Sequence, residues 1–185
     1  MLAVDAEALE QRLPLSRDRI RDQIRSLKHR AAELSDHVRR IAYQLHPSIL
    51  EHLGLVVALR SHCSEFSQRQ GVQTKFIHRG VPSRLPPDVA LCLYRVAQEA
   101  LRNVARHSGS TRTAVSLTRT GEGLHLAVTD FGSGFDSGKV RGEGGLGLIS
   151  MGERVRLVHG TLVVKSQPGT GTRIDVRVPL LRESS

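Results

Sequence analysis

Apolar residues recur at alternating steps of four and three along Ile20, Ile24, Leu27, Ala31, Leu34, Val38, Ile41 and Leu45. Between them stand Arg, Asp, Lys and His, so the spacing predicts one long helix with a single narrow apolar stripe. Leu2, Ala6, Leu9 and Leu13 predict a shorter helix before the break at Pro14-Leu15-Ser16. A narrow stripe cannot hold a lone helix together in water. The expected arrangement is a helical hairpin, residues 1–47, that dimerises into a four-helix bundle; a helix packed only on its own domain is the alternative.

Pro47 ends that pattern, because the residue before proline is pushed out of the α region. Ser48 then caps a short helix, and Leu55 to Gln70 continues as an amphipathic helix stopped at Gly71. Val72 to His78 reads as a strand, and Val89 to His107 as a long helix begun near Asp88. Alternation predicts strands at Thr113–Leu117 and Leu124–Thr129, then at Thr161–Lys165 and Arg173–Val178. A helix from Leu148 to Val158 lies between the two hairpins. Helices and hairpins are segregated, which gives an α+β, two-layer α/β sandwich over residues 48–185, with helices on one face of a mixed sheet.

Composition narrows this picture little. The 185 residues are 39% hydrophobic and 3% aromatic, so an aliphatic core is expected. The formal charge of +9 comes mostly from Arg spread along the chain without interleaved aromatics, which argues against a nucleic-acid partner. No apolar run is long enough for a membrane segment, no signal-peptide pattern opens the chain, and Cys63 and Cys92 form no C-x-x-C; a cytoplasmic protein with reduced thiols is expected.

The chemistry-bearing residues fall in two places. On the long helix, Glu99, Asn103 and His107 follow at i, i+4 and i+8, with Arg102 and Arg106 beside them. A solvated polar face would account for any one of them, but Asn is a poor mid-helix residue. A carboxamide oxygen suits Mg²⁺ that is also held by phosphate oxygens, and Glu99 could orient or deprotonate a nucleophile nearby. Further on, Asp130 closes an apolar strand and is followed by two glycine clusters, Gly132-Ser-Gly134 and Gly142 to Gly147, before a helix. Glycine permits close backbone approach, and a helix start offers free N–H groups to phosphate. Gly142, Gly144 and Gly147 fit G-x-G-x-x-G, yet a polar stretch rather than a strand precedes them, so a Rossmann reading is set aside.

In order, the chain carries Gln98-Glu99-Ala-Leu-Arg-Asn103-Val-Ala-Arg106-His107, Asp130-Phe-Gly132-Ser-Gly134, Gly145-Leu-Gly147-Leu148 with Met151-Gly-Glu-Arg154, and Gly169-Thr-Gly171-Thr172. This set resembles the ATP-binding domain of sensor histidine kinases, in the superfamily shared with gyrase, heat-shock chaperones and mismatch-repair ATPases. The segment Leu45-His46-Pro47-Ser48-Ile49-Leu50-Glu51-His52-Leu53-Gly54-Leu55 looks like the helix-to-domain junction of kinases that partner NarL/LuxR-type response regulators.

The resemblance implies a Bergerat-type ATP-binding fold and assigns roles. Asp130 would accept the adenine amino group, Gly132 and Gly134 would open the adenine pocket, and Thr172 would support Asp130. Asn103 would hold Mg²⁺, with Glu99 one turn before it and Arg106 and His107 on the phosphate side. Phe135 to Gly144 would form a lid, and Gly145, Gly147 and Leu148 the second glycine box. ATP and Mg²⁺ are the implied cofactors; a homodimer through the hairpin and a NarL/LuxR-type regulator are the implied partners.

The family's acceptor His–Asp box is not found. Met1 to Leu13 reads as the tail of the helix that would carry it, and His46 precedes Pro. The expectation is a kinase catalytic domain that transfers the ATP γ-phosphoryl group to a histidine of another chain. A non-catalytic nucleotide-responsive dimerisation module and an anti-sigma-factor-type protein-serine kinase are the alternatives.

Overall fold

The computed structural model describes residue 26, residues 48–121, 123–136 and 146–180. The chain divides into two compact units, Met1–Pro47 and Ser48–Ser185. The expected hairpin, its heptad seam and the histidines His29, His37 and His46 lie outside the described residues, as do Gly145 and most of the expected lid.

The second unit runs α1 (Ser48–Gln70), β1 (Gln73–Arg79), α2 (Pro87–Asn103), a π-helical turn (Val104–Ser108), β2 (Arg112–Thr120), β3 (Gly123–Asp130), α3 (Leu146–Leu157), β4 (Thr161–Gln167) and β5 (Gly171–Pro179). The five strands form one sheet in the order β1-β2-β3-β5-β4. β1 pairs parallel with β2, and the other pairs are antiparallel, so the sheet is mixed as the sequence pattern predicts.

Alternation decides which face is covered. Val115 and Leu117 on β2, Leu124, Leu126 and Val128 on β3, and Ile174, Val176 and Val178 on β5 are all buried. They pack against the apolar stripe of α2 (Val89, Leu93, Val96, Ala97, Ala100, Leu101) together with Leu55 and Leu59 of α1 and Met151 and Val155 of α3. The opposite face carries Ser116, His125, Thr129, Arg173, Asp175 and Arg177. Burying roughly a dozen aliphatic side chains at about 1.5–3 kcal/mol each is the main force closing the two layers.

One helix keeps to the sequence expectation and another departs from it. Within α1 the short helix at Ser48 and the helix from Leu55 meet at Gly54, whose φ of 78° and ψ of 170° break the helical path as expected between them. The long helix ends earlier than His107. Its α-helical part stops at Asn103, and the chain widens into the π turn before Gly109 closes it at φ 61°. The Val104 N–H is shared between the Ala100 and Leu101 carbonyls at that transition. At the other end, Pro87 occupies the first turn, where a missing N–H costs nothing, and the Asp88 carboxylate accepts the Val89 N–H at 2.8 Å.

Candidate functional site

β3 positions the first functional side chain. Leu124, Leu126, Val128 and Asp130 share the helix-facing side of the strand, and Asp130 is only 5% exposed. A carboxylate at the end of an aliphatic file is costly unless its oxygens are bonded. Oδ1 accepts the Gly132 N–H at 2.9 Å, and among the described residues nothing bonds Oδ2. Asp130 lines a cavity of about 630 Å³ between α2, the start of α3 and the ends of β3 and β5. That volume is within the usual range of small-molecule sites, ~300–1,000 Å³.

The cavity gathers residues that the sequence scatters. Its wall includes Glu99, Arg102, Asn103, Arg106 and His107 from α2 and the π turn, Asp130 and Gly134 from β3 and its loop, Gly147 and Leu148 from α3, and Thr172 from β5. Asn103 is half-buried, and its carboxamide makes no hydrogen bond to any described residue. The i, i+4, i+8 stripe is interrupted after Asn103 by the π turn, yet His107 still reaches the cavity. Glu99 pairs with Arg102 at 3.1 Å, and a Cβ on Gly147 would lie on the Glu99 carboxylate. Gly147 therefore serves the close approach of α3 to Glu99. Gly132 lies outside the lining: it is pressed on the Ser108 carbonyl, where no side chain fits.

Four serines tie the base of the cavity together, and the sequence reading missed them. Ser166 is buried; its Oγ accepts the Phe135 N–H at 2.9 Å, donates to the Gly171 carbonyl at 3.0 Å and is bonded to Thr172 Oγ1 at 3.0 Å. The Ser110 hydroxyl accepts the Phe131 N–H at 3.3 Å, and Ser108 Oγ donates back to the Val104 carbonyl at 2.9 Å. Ser133 donates its N–H to the Ser108 carbonyl at 2.7 Å and its hydroxyl to the His107 carbonyl at 3.1 Å. A signal for Ser166 exists in the pattern: Leu162, Val164 and Ser166 share one side of β4, so a polar residue occupies an apolar position. Gly171, at φ 81° and backed against the Asp130 carbonyl, lets β5 begin where Thr172 faces the cavity.

The donor set fits an adenine nucleotide with a divalent metal. Asp130 Oδ2 is an acceptor without a partner among the described residues, suited to an amino N–H. Asn103 offers a hard, uncommitted oxygen, while Arg102, Arg106 and His107 supply donors for phosphate. A second cavity of about 450 Å³ at the same end of the sheet is lined by Phe131, Lys165, Gln167, Thr170 and Arg173, and shares Asp130 and Thr172 with the first. Among the described residues no cluster of three His, Cys, Asp or Glu could hold a metal without a ligand's help.

A profile of the family described as histidine kinase-, DNA gyrase B-, and HSP90-like ATPase matches residues 88–182. The chain belongs to that family. This ATPase domain is 33% identical over 161 residues to the signal transduction histidine-protein kinase/phosphatase DegS of Brevibacillus brevis, covering 87% of the chain and 42% of the relative. It is 38% identical over 144 residues to the sensor histidine kinase MctS of Rhizobium johnstonii, covering 77% of the chain and 31% of the relative. It is 31% identical over 180 residues to the oxygen sensor histidine kinase NreB of Staphylococcus carnosus, covering 97% of the chain and 52% of the relative. The chain thus spans about a third to a half of the relatives it matches. Among solved structures, the histidine kinase domain of a blue-light activated histidine kinase from Erythrobacter litoralis superposes with a TM-score of 0.56 at 26% identity, over 68% of this chain and 61% of that one. The Acinetobacter baumannii histidine kinase AdeS shares the fold at a TM-score of 0.56 and 14% identity, over 97% of this chain and 93% of that one. The α+β sandwich is the Bergerat-type ATP-binding fold of histidine kinases, and the domain is the ATP-binding catalytic kind.

Proposed function

We propose that this chain supplies the nucleotide-binding half of a sensor histidine kinase reaction, transfer of the ATP γ-phosphoryl group to a histidine. The observation that carries the reading is one cavity lined by both Asp130 and Asn103. Asp130 Oδ2 takes the amino group of adenine, and Thr172 supports that end. Asn103 holds Mg²⁺ together with the phosphate oxygens, and Arg106 and His107 fix the phosphates. Glu99 orients the incoming histidine or accepts its proton. When bound, the metal neutralises charge on the transferring group; the protein's own part is positioning. The second glycine box, Gly145, Gly147 and Leu148, is assigned to the phosphates; Gly147 and Leu148 line the cavity at the start of α3.

Further elements of the reading are a homodimer through the 1–47 hairpin, a NarL/LuxR-type response regulator as the downstream partner and a cytoplasmic location. The names of DegS, MctS and NreB support a kinase role. Among the described residues no helix is long and apolar enough to cross a membrane. The test is incubation with γ-labelled ATP, alone and with a partner hairpin that carries an acceptor histidine. The expected result is ATP binding, little acid-labile label on this chain alone, and label on the partner when the two are mixed. Binding without transfer to any partner would favour a nucleotide-responsive dimerisation module instead.

A further inference from the structure

The π turn Val104–Ser108 follows Asn103 directly, and Val104, Arg106, His107 and Ser108 on it line the cavity. Its hydrogen bonds reach one residue further than α-helical ones, a wide form that is rarely stable unaided. Being a helix end, it also leaves carbonyls without intrahelical donors. Two of those carbonyls have partners from one residue of the base-end loop. The Ser133 N–H reaches the Ser108 carbonyl at 2.7 Å, and the Ser133 hydroxyl reaches the His107 carbonyl at 3.1 Å. The Ser133 carbonyl in turn accepts the Gly169 N–H at 2.6 Å, which anchors the loop to the β4–β5 turn. Gly132, without room for a Cβ, holds the same loop flat on the Ser108 carbonyl.

We propose that Ser133 is a positioning residue that keeps the Val104–Ser108 turn in its wide form, and thereby couples the base end of the cavity to its phosphate end. The role rests on the nucleotide reading above. Were the turn to tighten into α-helix, the chain would be rotated about the axis progressively along it, by up to roughly 100° at its end, since each α-helical residue turns by that amount. Arg106 and His107 would then leave the cavity wall, while Asp130 would stay where it is. The hydroxyl contact is on the surface, so Ser133→Ala leaves the core intact, and Ser133→Thr restores the donor at an exposed position.

The experiment uses the full chain and its Ser133→Ala and Ser133→Thr variants, titrated calorimetrically with adenosine and with ATP plus Mg²⁺. Ser133→Ala is expected to weaken ATP by roughly two- to tenfold, the scale of one lost hydrogen bond. Adenosine should be nearly unaffected, and Ser133→Thr should restore ATP. A merely structural role would weaken both ligands together; equal losses, no loss, or no recovery with Thr would each overturn the proposal. Amide exchange over residues 104–109 in the ligand-free variants separates this from the nucleotide reading. Faster exchange there in Ser133→Ala, reversed in Ser133→Thr, is required whatever the wild type binds, and unchanged exchange overturns the coupling. A wild type that binds neither ligand overturns the nucleotide reading and, with it, the role of the coupling in binding.

Discussion

Replacing Asp130 by Asn tests which atom reads the base, because the structure fixes the orientation of the new side chain. Oδ1 accepts the Gly132 N–H at 2.9 Å, so an amide turned the other way would set two donors against each other there. The carboxamide oxygen therefore keeps the Gly132 contact, and the NH₂ group takes the place of the free oxygen in the cavity. The loop that holds Ser133 on the π turn is unchanged, and a buried charge is removed from an apolar file, so the thermal midpoint should not fall. At the base end an acceptor becomes a donor. Adenine would then present its amino group to another donor, and the loss is that of a buried charged hydrogen bond, ~2–5 kcal/mol, or roughly 30- to 4,000-fold in affinity at 1.4 kcal/mol per decade. Inosine nucleotides, which carry a carbonyl there, should lose nothing or gain. Calorimetric titration of ATP and ITP into both proteins gives the ratio directly. An ATP-to-ITP ratio unchanged by Asp130→Asn, in a variant that melts normally, would refute the assignment of Asp130 to the base.

Other outcomes follow from single contacts. Asn103→Ala should abolish most of the Mg²⁺-dependent increment in ATP affinity, read by titration with and without metal, while adenosine binding stays within about twofold, since the carboxamide bonds nothing else described. On the open face of the sheet, burial alone would raise the Asp175 carboxyl, but hydrogen bonds from Arg173 at 2.9 Å and His125 at 2.8 Å outweigh it and hold it below its ordinary value. A carboxyl depressed in the folded state contributes stability above its unfolded pKa of about 3.9, and that contribution is lost as pH falls through the folded value. Melting curves should therefore fall more steeply below about pH 4 for the wild type than for Asp175→Asn. Burial pushes the Cys63 thiol up to about 12 and the Cys92 thiol up to about 11, so neither should react with a disulfide reagent at pH 8 until the domain unfolds.

Periodicity made the sandwich legible: every strand and helix of the second unit stands where alternation or the four-three spacing places it, within a few residues. What it could not reveal was backbone that departs from the repeat. The π turn after Asn103 keeps the apolar pattern of Val104 intact, so the helix reads as unbroken to His107. The site was legible where a residue type is costly in its position, as with Asp130 closing an aliphatic strand and Asn103 in mid-helix. Ser108, Ser110 and Ser133 went unread because serine is ordinary in a turn, and only the fold reveals that all three serve the loop after β3. The sequence reading gave Gly132 and Gly147 to close approach of a ligand; the groups they approach in the structure are the Ser108 carbonyl and the Glu99 carboxylate.

The central claim is that the cavity between α2, α3, β3 and β5 is the nucleotide site, with the base on Asp130 and the phosphates near Asn103. The most direct measurement is an amide chemical-shift titration of the ¹⁵N-labelled chain with ADP and Mg²⁺. The account predicts saturable shifts at Asp130, Gly132, Gly134, Gly147 and Thr172, with those at Asn103, Arg106 and His107 growing further when ATP replaces ADP. Shifts confined to the other cavity, at Lys165, Gln167, Thr170 and Arg173, or no saturable shift at all, would contradict it.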